Sequence, residues 1–450
     1  MNIRTLALCV LAVAISAPAE AENPPKLAKG PDRGRAQPID LATALRLAGA
    51  QNLDVRLVAE KEALAQAEHT LARELFFPWM TLGTSYHGHQ ENIQAVDGPI
   101  LDAEKSSFDL GAAVKAQIDL GEAYFKTLST QQLVKAAAYA SEAQAQDAAL
   151  AAALGYFDLV RAQADVGVAS EAVRISTDYE DQVRRAVDAG IAFAGDAYRI
   201  QTELERNRVA YRQALETRRI AAARLAQVLH LDPAVNLLPE ENTPAPLKLI
   251  AYGDPLDSFV QRALVDRPEL HMSAAQREAA RRSRDAAKFG PLVPTVGAQY
   301  SYGGLAGGRG TEIASFNESS DYGVGLWWRI GPGGLFDRGR VAAGESHFRT
   351  TELEDQKLRE AIVLEVVESH TRVRSLGDQM ISAQRALQAA QKTLDLSRER
   401  KDFGVGIVAE TILAEQDLTR TRREYLGMVA EYNKAQFALR RAAGAKAGAP

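Results

Sequence analysis

The sequence predicts a mainly α chain with a membrane β-barrel, each chain holding two tandem repeats of helix, strand, strand, long helix and helix. Three observations predict it. Four short segments alternate apolar and polar side chains with the period of a strand. Each abuts a helical stretch far too long for a compact domain. The whole arrangement then recurs at a constant offset: Gly190 and Gly404 lie 214 residues apart, as do Arg184 and Arg398, Asp188 and Asp402, Tyr211 and Tyr425, Gly83 and Gly297, and Tyr86 and Tyr300. A unit of this length holds a whole strand pair and a whole helix pair, unlike a small solenoid repeat.

The clearest strand pattern is at 108–120. Leu110, Ala112, Val114, Ala116, Ile118 and Leu120 fall on one side of an extended chain, and Gly111, Ala113, Lys115, Gln117 and Asp119 on the other. The segment at 79–89 places Met80, Leu82, Thr84 and Tyr86 on its oily side, with Thr81 and Ser85 opposite. The segment at 294–303 places Val296, Ala298, Tyr300 and Tyr302 there, with Gln299 opposite. The last, at 321–331, has Tyr322, Val324, Leu326, Trp328 and Ile330 against Arg329. The apolar sets are expected to face lipid, and Lys115, Gln117, Asp119, Gln299 and Arg329 an aqueous interior. Trp79, Tyr300, Tyr302, Tyr322 and Trp328 read as interfacial aromatics. Trp327 falls on the interior side by parity. A spanning sheet cannot leave open edges in lipid, so four strands must close between chains. Two chains would give about eight strands and an interior filled by side chains, so an open interior needs more.

In chain order, 1–21 reads as a secretory signal: Arg4 supplies the positive end, 5–15 the apolar core, and Ala19-Glu20-Ala21 the cleavage site. Cys9, the only cysteine, lies inside it, so the mature chain is expected to have neither thiol nor disulfide. Residues 22–38 read as a flexible leader. The first repeat, 39–230, opens with a helix over 40–75 that stops before Pro78. A hairpin loop over 90–107 joins its strands, a helix over 121–189 follows, the tip lies at 190–195, and a return helix runs over 196–230. A Pro-containing linker covers 231–253. The second repeat, 254–444, starts at Asp254-Pro255, an N-cap followed by Pro at the first helical position, and a short tail covers 445–450.

Val373, Leu376, Met380, Ala383, Leu387, Ala390 and Leu394 step by three and four, the seam of a coiled coil, and Ile362 and Val366 continue it backwards. Such a helix needs a partner along its length. Gly190 and Gly404 sit where helices reverse, a place for the positive φ that glycine takes readily. Just before each tip an arginine and an aspartate are spaced i, i+4, namely Arg184 with Asp188 and Arg398 with Asp402, so each pair can share a helix face.

Chemical sites are sparse. His87 and His89 share one strand face but have no third ligand near them in sequence, so no metal is expected. The glycine-rich run 303–310 lacks the ending of a phosphate loop and reads as a flexible hairpin loop, while Gly331-Pro332-Gly333-Gly334 reads as the turn into the last long helix. No catalytic motif is visible, so no enzyme and no cofactor is expected. The formal charge of −5 argues against a nucleic-acid binder. No run of about 18 apolar residues follows the signal, so no membrane helix is expected.

The duplicated plan resembles that of the TolC-like outer-membrane efflux proteins over 39–444. The resemblance rests on Arg267-Pro268-Glu269-Leu270 near the start of the second repeat, where the first has Asn52-Leu53-Asp54-Val55 without the proline. It rests also on Ala153, Tyr156, Phe157, Asp158, Leu159 and Val160 in the first long helix. Phe403-Gly404-Val405 with Glu410, Leu413, Tyr425, Tyr432 and Leu439 carries it through the second tip. The first tip departs from the pattern, with Gly195 where Ser or Thr is usual. The resemblance implies a homotrimer: a twelve-stranded barrel in the bacterial outer membrane, standing on a helical tube in the periplasm. Its partners would be outer-membrane lipid, a periplasmic adaptor and an inner-membrane transporter. The adaptor is expected at the tips, Gly190, Ile191, Gly404 and Val405, and the candidate gate is Arg184, Asp188, Arg398 and Asp402. The implied function is a passive exit duct for an efflux or secretion system; the alternative is a non-conducting coiled-coil scaffold.

Overall fold

The computed structural model describes residues 36–50, 52–251, 253–310, 313–403 and 407–445. The expected signal, most of the expected leader, and Gly404 and Val405 of the second tip lie outside the described residues. The chain begins with β1 (Ala36–Ile39), α1 (Leu41–Ala50) and α2 (Leu53–Glu74). Next come β2 (Trp79–His89), a small hairpin of β3 (Asn92–Gln94) and β4 (Ile100–Asp102), and β5 (Lys105–Asp119). The first long helix is α3 (Leu120–Asp188), and α4 (Ala194–Val228) returns from its tip. After β6 (Asn236–Pro239) the plan starts again with α5 (Leu256–Asp266), α6 (Pro268–Phe289), β7 (Thr295–Arg309), β8 (Ala314–Trp327), α7 (Arg338–Asp402) and α8 (Val408–Ala442). At 1.5 Å per residue, α3 and α7 each run on the order of 100 Å.

The four long strands form one antiparallel sheet in the order β2-β5-β7-β8, leaving β2 and β8 as its edges. Below the sheet the helices pack lengthwise. The expected seam of α7 is its burial stripe: Ile362, Val366, Val373 and Leu394 are fully buried and the intervening seam residues half-buried. The two repeats build matching cores. Ala152, Leu159, Leu225 and Leu229 centre one; Val366, Val373, Leu439 and Ala443, each 214 residues later, belong to the other. Where the repeats meet, Phe157 and Phe437 pack ring against ring at 5.8 Å.

Several elements differ from the sequence reading. The single helix expected over 40–75 is two, because the buried Asn52 caps α2: its Oδ1 accepts the backbone N–H of Asp54 at 2.8 Å and of Val55 at 3.3 Å. Residues 36–38 are not leader, since β1 pairs in parallel with β6 inside the expected linker. The rest of that linker is fastened to α8. Asn433 Oδ1 accepts from Leu247 N–H and its Nδ2 donates to the Ala245 carbonyl, both at 2.8 Å; Gln436 does the same with Leu249 and Leu247, at 2.9 and 3.0 Å. Two buried amides thus imitate an extra strand.

The glycine-rich run expected as a loop is mostly strand, the upper part of β7, with Gly303 paired to Gly111. A Cβ on Gly303 would come within 2.6 Å of the Gly111 Cα, and one on Gly111 within 2.7 Å of the Tyr302 carbonyl oxygen. Glycine is therefore required by the close approach of two backbones. Arg329, expected in the last strand, lies beyond β8. Its carbonyl accepts from Leu335 N–H at 2.8 Å in the turn set by Gly331 and Gly333, at φ 106° and 75°.

Candidate functional site

The strand register decides which side chains share a face of the sheet. Met80 lies opposite Val114 and Val114 opposite Tyr300, which lies opposite Tyr322. Likewise Leu82, Ala112 and Tyr302 form one row, Ala116, Ala298 and Val324 another, and Ile118, Val296 and Leu326 a third. The expected lipid-facing residues that lie in these strands, Leu110 included, are thus on one face, whereas Leu120 opens α3 and Trp328 and Ile330 lie beyond β8. Val324 is 83% and Leu326 61% exposed within the single chain, so this apolar band has no partner inside the protomer.

The opposite face carries Lys115, Gln117, Asp119 and Gln299 of the expected interior set, joined by Thr81, Ser85, Ser301 and Asp321. Trp79 pairs with Lys115, so it too sits on this face. Its expected place among the lipid-side aromatics is corrected; with Trp327 it is a second exception. The same face holds Gly83, Gly111, Gly297, Gly303, Gly323 and Gly325. This alternation of glycine with polar residues leaves the face low and open. Trp327 lies across it, with its ring where a Cβ on Gly297 would stand and within 3.2 Å of one on Gly325. Where this face meets the helices, Trp79, Gln117, Asp119, Trp327, Arg329 and Arg340 border a cavity of about 600 Å³.

At the far end of the helices, Gly190 turns the chain at φ 73°, and the N–H groups of Gly190 and Ile191 close the end of α3 on the carbonyls of Val187 and Ala186, at 2.9 and 2.8 Å. Ile191 is 83% exposed. The sequence reading missed the bulky apolar residues around it: Phe193, Tyr198, Phe403 and Ile407 are all strongly exposed at the two tips. Their signal was available, since none of them fits a heptad seam. Gly195 also has its reason, because a Cβ there would meet the Phe193 ring at 2.6 Å. Phe193 thus folds back over the start of α4 in place of a side-chain cap.

The candidate gate is only partly assembled within one chain. Arg184 pairs with Glu180 one turn earlier rather than with Asp188. The acid-before-base order at i, i+4 is the better one in the field of the helix. Arg184 and Asp188 are both exposed. Arg398 turns into a groove between α3 and α8, bordering a cavity of about 390 Å³ with Glu171, Asp178 and Glu415. The second tip is braced by Arg400 on Glu410 at 2.8 Å. Asp402 ends α7.

Higher up, a buried ionic network ties the second repeat to the first. Arg267 meets Glu269 at 2.8 Å and Glu365 at 2.5 Å, while Arg441 meets Glu269 and, at 2.8 Å, Asp147 on α3. Burial alone would push the Glu269 carboxyl up, but the hydrogen bonds from Arg267 and Arg441 overcome it and hold the group down at about 2.

Among the described residues no helix is long and apolar enough to cross a membrane, and no group of three or more metal-ligating side chains is present. Residues 259–445 match the family model described as outer membrane efflux protein. The chain is 25% identical over 431 residues to Protein CyaE of Bordetella pertussis, a match covering 92% of this chain and 86% of that one. Its fold matches the CmeC outer membrane channel of Campylobacter jejuni with a TM-score of 0.76 at 15% identity, over 90% of this chain and 86% of the other. It matches the outer membrane protein VceC of Vibrio cholerae with a TM-score of 0.75 at 16% identity, over 90% and 96% of the two chains.

Proposed function

We infer that this chain, an outer-membrane efflux protein of the TolC-like family, is the exit duct of a tripartite efflux or secretion system, conducting cargo passively to the exterior. The observation that carries the reading is the two-faced sheet. One face is a continuous apolar band, and the other is glycine-rich and polar, as a wall between lipid and a water-filled interior requires. The protein resides in the outer membrane and extends into the periplasm. The matching family model is described as outer membrane efflux protein, and a solved relative in fold as an outer membrane channel.

Three copies complete the duct. The free edges β2 and β8 meet between copies, which leaves no edge open to lipid. Leu53, Leu57, Leu64 and Leu71, exposed along one side of α2, supply an apolar stripe for a neighbouring copy. A cysteine pair placed on facing positions of β2 and β8 should link chains into trimers, and linking that stopped at dimers would contradict this closure. Swelling of proteoliposomes in a permeant sugar tests the duct itself, because a non-conducting scaffold would leave them unchanged.

The adaptor docks on the tips, Gly190, Ile191, Gly404 and Val405, and the exposed Phe193 and Ile407 enlarge the apolar surface it covers. Ile191→Asp or Val405→Asp should abolish crosslinking to the adaptor while trimers persist. Crosslinking that survived both changes would rule out docking at the tips. An inner-membrane transporter supplies cargo and energy through that adaptor.

The gate is a ring of tip charges drawn from all copies, with Arg184, Asp188, Arg398 and Asp402 contributing. Arg184 already has Glu180 within its own helix, and the exposed Asp188 is placed to pair between copies. The double variant Asp188→Ala, Asp402→Ala should raise resting conductance and lower cation selectivity, with high salt partly imitating it. A double variant indistinguishable from wild type in both would place the constriction elsewhere along the helices.

A further inference from the structure

About two turns above the tips, α3, α4 and α8 are joined by a buried polar cluster that the gate does not use. Glu415 of α8 is only 4% exposed and Ser176 of α3 is fully buried. Ser176 Oγ lies 2.7 Å from the Ala172 carbonyl, 2.6 Å from Asn207 Nδ2 of α4 and 3.3 Å from Glu415 Oε1. A hydroxyl has one hydrogen and two lone pairs. The hydrogen is shared between the Ala172 carbonyl and Glu415 Oε1, and a lone pair takes the Asn207 N–H. Glu415 therefore has at most a part share of one weak donor to support a negative charge.

The surroundings agree with a neutral carboxyl. Glu415 Oε2 is buried without a hydrogen-bond partner. From α4, Glu203 presents a second buried carboxylate, held by Gln416 Nε2 at 2.7 Å and by Arg206 at 3.8 Å. From α3, Glu171, Arg174 and Asp178 border the same groove but pair with one another, at 2.7 and 3.1 Å. From α7, Arg398 faces the groove, and α8 itself adds Thr411 and Arg422. On the other side Glu415 borders a cavity of about 270 Å³ with Arg420, Arg423 and Glu424.

We propose that Glu415 is a proton-held latch: in its neutral form it fastens the tip-proximal part of α8 to α3 and α4, and its ionisation loosens that contact so that the tip can open. The proposal rests on the duct reading for its consequence, though not for its test. Burial pushes the Glu415 carboxyl up to about 7, the charges of Glu203 and Glu171 add to this, and the Ser176 hydrogen bond and the Arg398 charge oppose it. The sign follows from linkage. The fastened state binds the proton more tightly than a solvated carboxyl with a value of 4.5 would. Fastening is therefore complete below about 4.5 and weakens by about tenfold per pH unit up to about 7. Above that it stays weak.

The test is amide hydrogen exchange of the full-length trimer in detergent, comparing wild type with Glu415→Gln at the same pH so that intrinsic exchange cancels. In residues 408–420 the wild-type to variant ratio should be near one at pH 4 and about a hundredfold or more at pH 8, with α6 unaffected. A ratio near one at both values overturns the latch, whether or not the trimer conducts. Should Glu415→Gln fail to assemble, Glu203→Gln carries the test. Removing that like charge should move the wild-type exchange transition to lower pH, and an unmoved transition overturns the proposal. Conductance of the same trimers reports separately on the duct: channels whose opening ignores pH would contradict the latch alone.

Discussion

Val114→Arg or Leu326→Arg is expected to keep the protein out of the outer membrane, while Gln117→Arg assembles normally. Val114 lies in the central strand β5, in one row with Met80, Tyr300 and Tyr322, and Leu326 pairs with Val296 in the row of Ile118. An arginine on this face costs about 2–4 kcal/mol near the midplane of the bilayer. In the proposed trimer the cost recurs in every copy, so the loss from outer-membrane fractions should be nearly complete. Gln117 lies opposite Gly297 on the other face and borders the cavity of about 600 Å³, into which a longer polar side chain can extend. Equal amounts of all three variants in the outer membrane would contradict the assignment of faces.

Arg267→Ala is expected to be the most destabilising change in the helical part. Arg267 is 5% exposed and holds both Glu269 and Glu365. Removing it leaves Glu269 to Arg441 alone and strips Glu365 of this partner, at a cost of about 1–3 kcal/mol. The same network makes a pH statement. The folded Glu269 carboxyl, at about 2, is below its ordinary 4.5, so its contribution is complete above about 4.5 and is lost as pH falls towards 2. Thermal unfolding of detergent-solubilised protein at pH 7 and pH 3 should show a smaller gap between wild type and Glu269→Gln at the lower value. A gap that did not narrow would mean the carboxylate is not what stabilises this junction.

What was legible in the sequence is what is periodic. The seam from Val373 to Leu394, the alternation along 110–120 and the 214-residue offset are all local or self-repeating signals, and the burial stripe of α7 and the register of the sheet follow them. What was not legible depends on partners far apart in the chain. Ala36 meets Asn236, and Asn433 meets Leu247, through single short contacts that leave no period behind. The upper part of β7 was hidden because glycine reads as a turn, and only the nearness of Gly111 explains why a strand needs it there.

At the tips the sequence offered Arg184 two acids, Glu180 and Asp188, and the spacing alone did not choose between them. The helix field favours the one the structure uses. Trp79 was placed with the lipid-side aromatics by residue type, although its neighbour Met80 already fixed the parity. The Glu415 cluster was invisible for a different reason. Glutamate in a charged helix is unremarked until its burial and the single hydrogen of Ser176 are seen together.

An open water-filled passage built by three copies should carry single-channel current across a planar bilayer containing the purified trimer. Discrete conductance steps that rise further when Asp188 and Asp402 are replaced by alanine are the predicted result. A trimer that inserts into the bilayer and passes no current, in wild type and variant alike, would contradict the duct and leave a structural scaffold in its place.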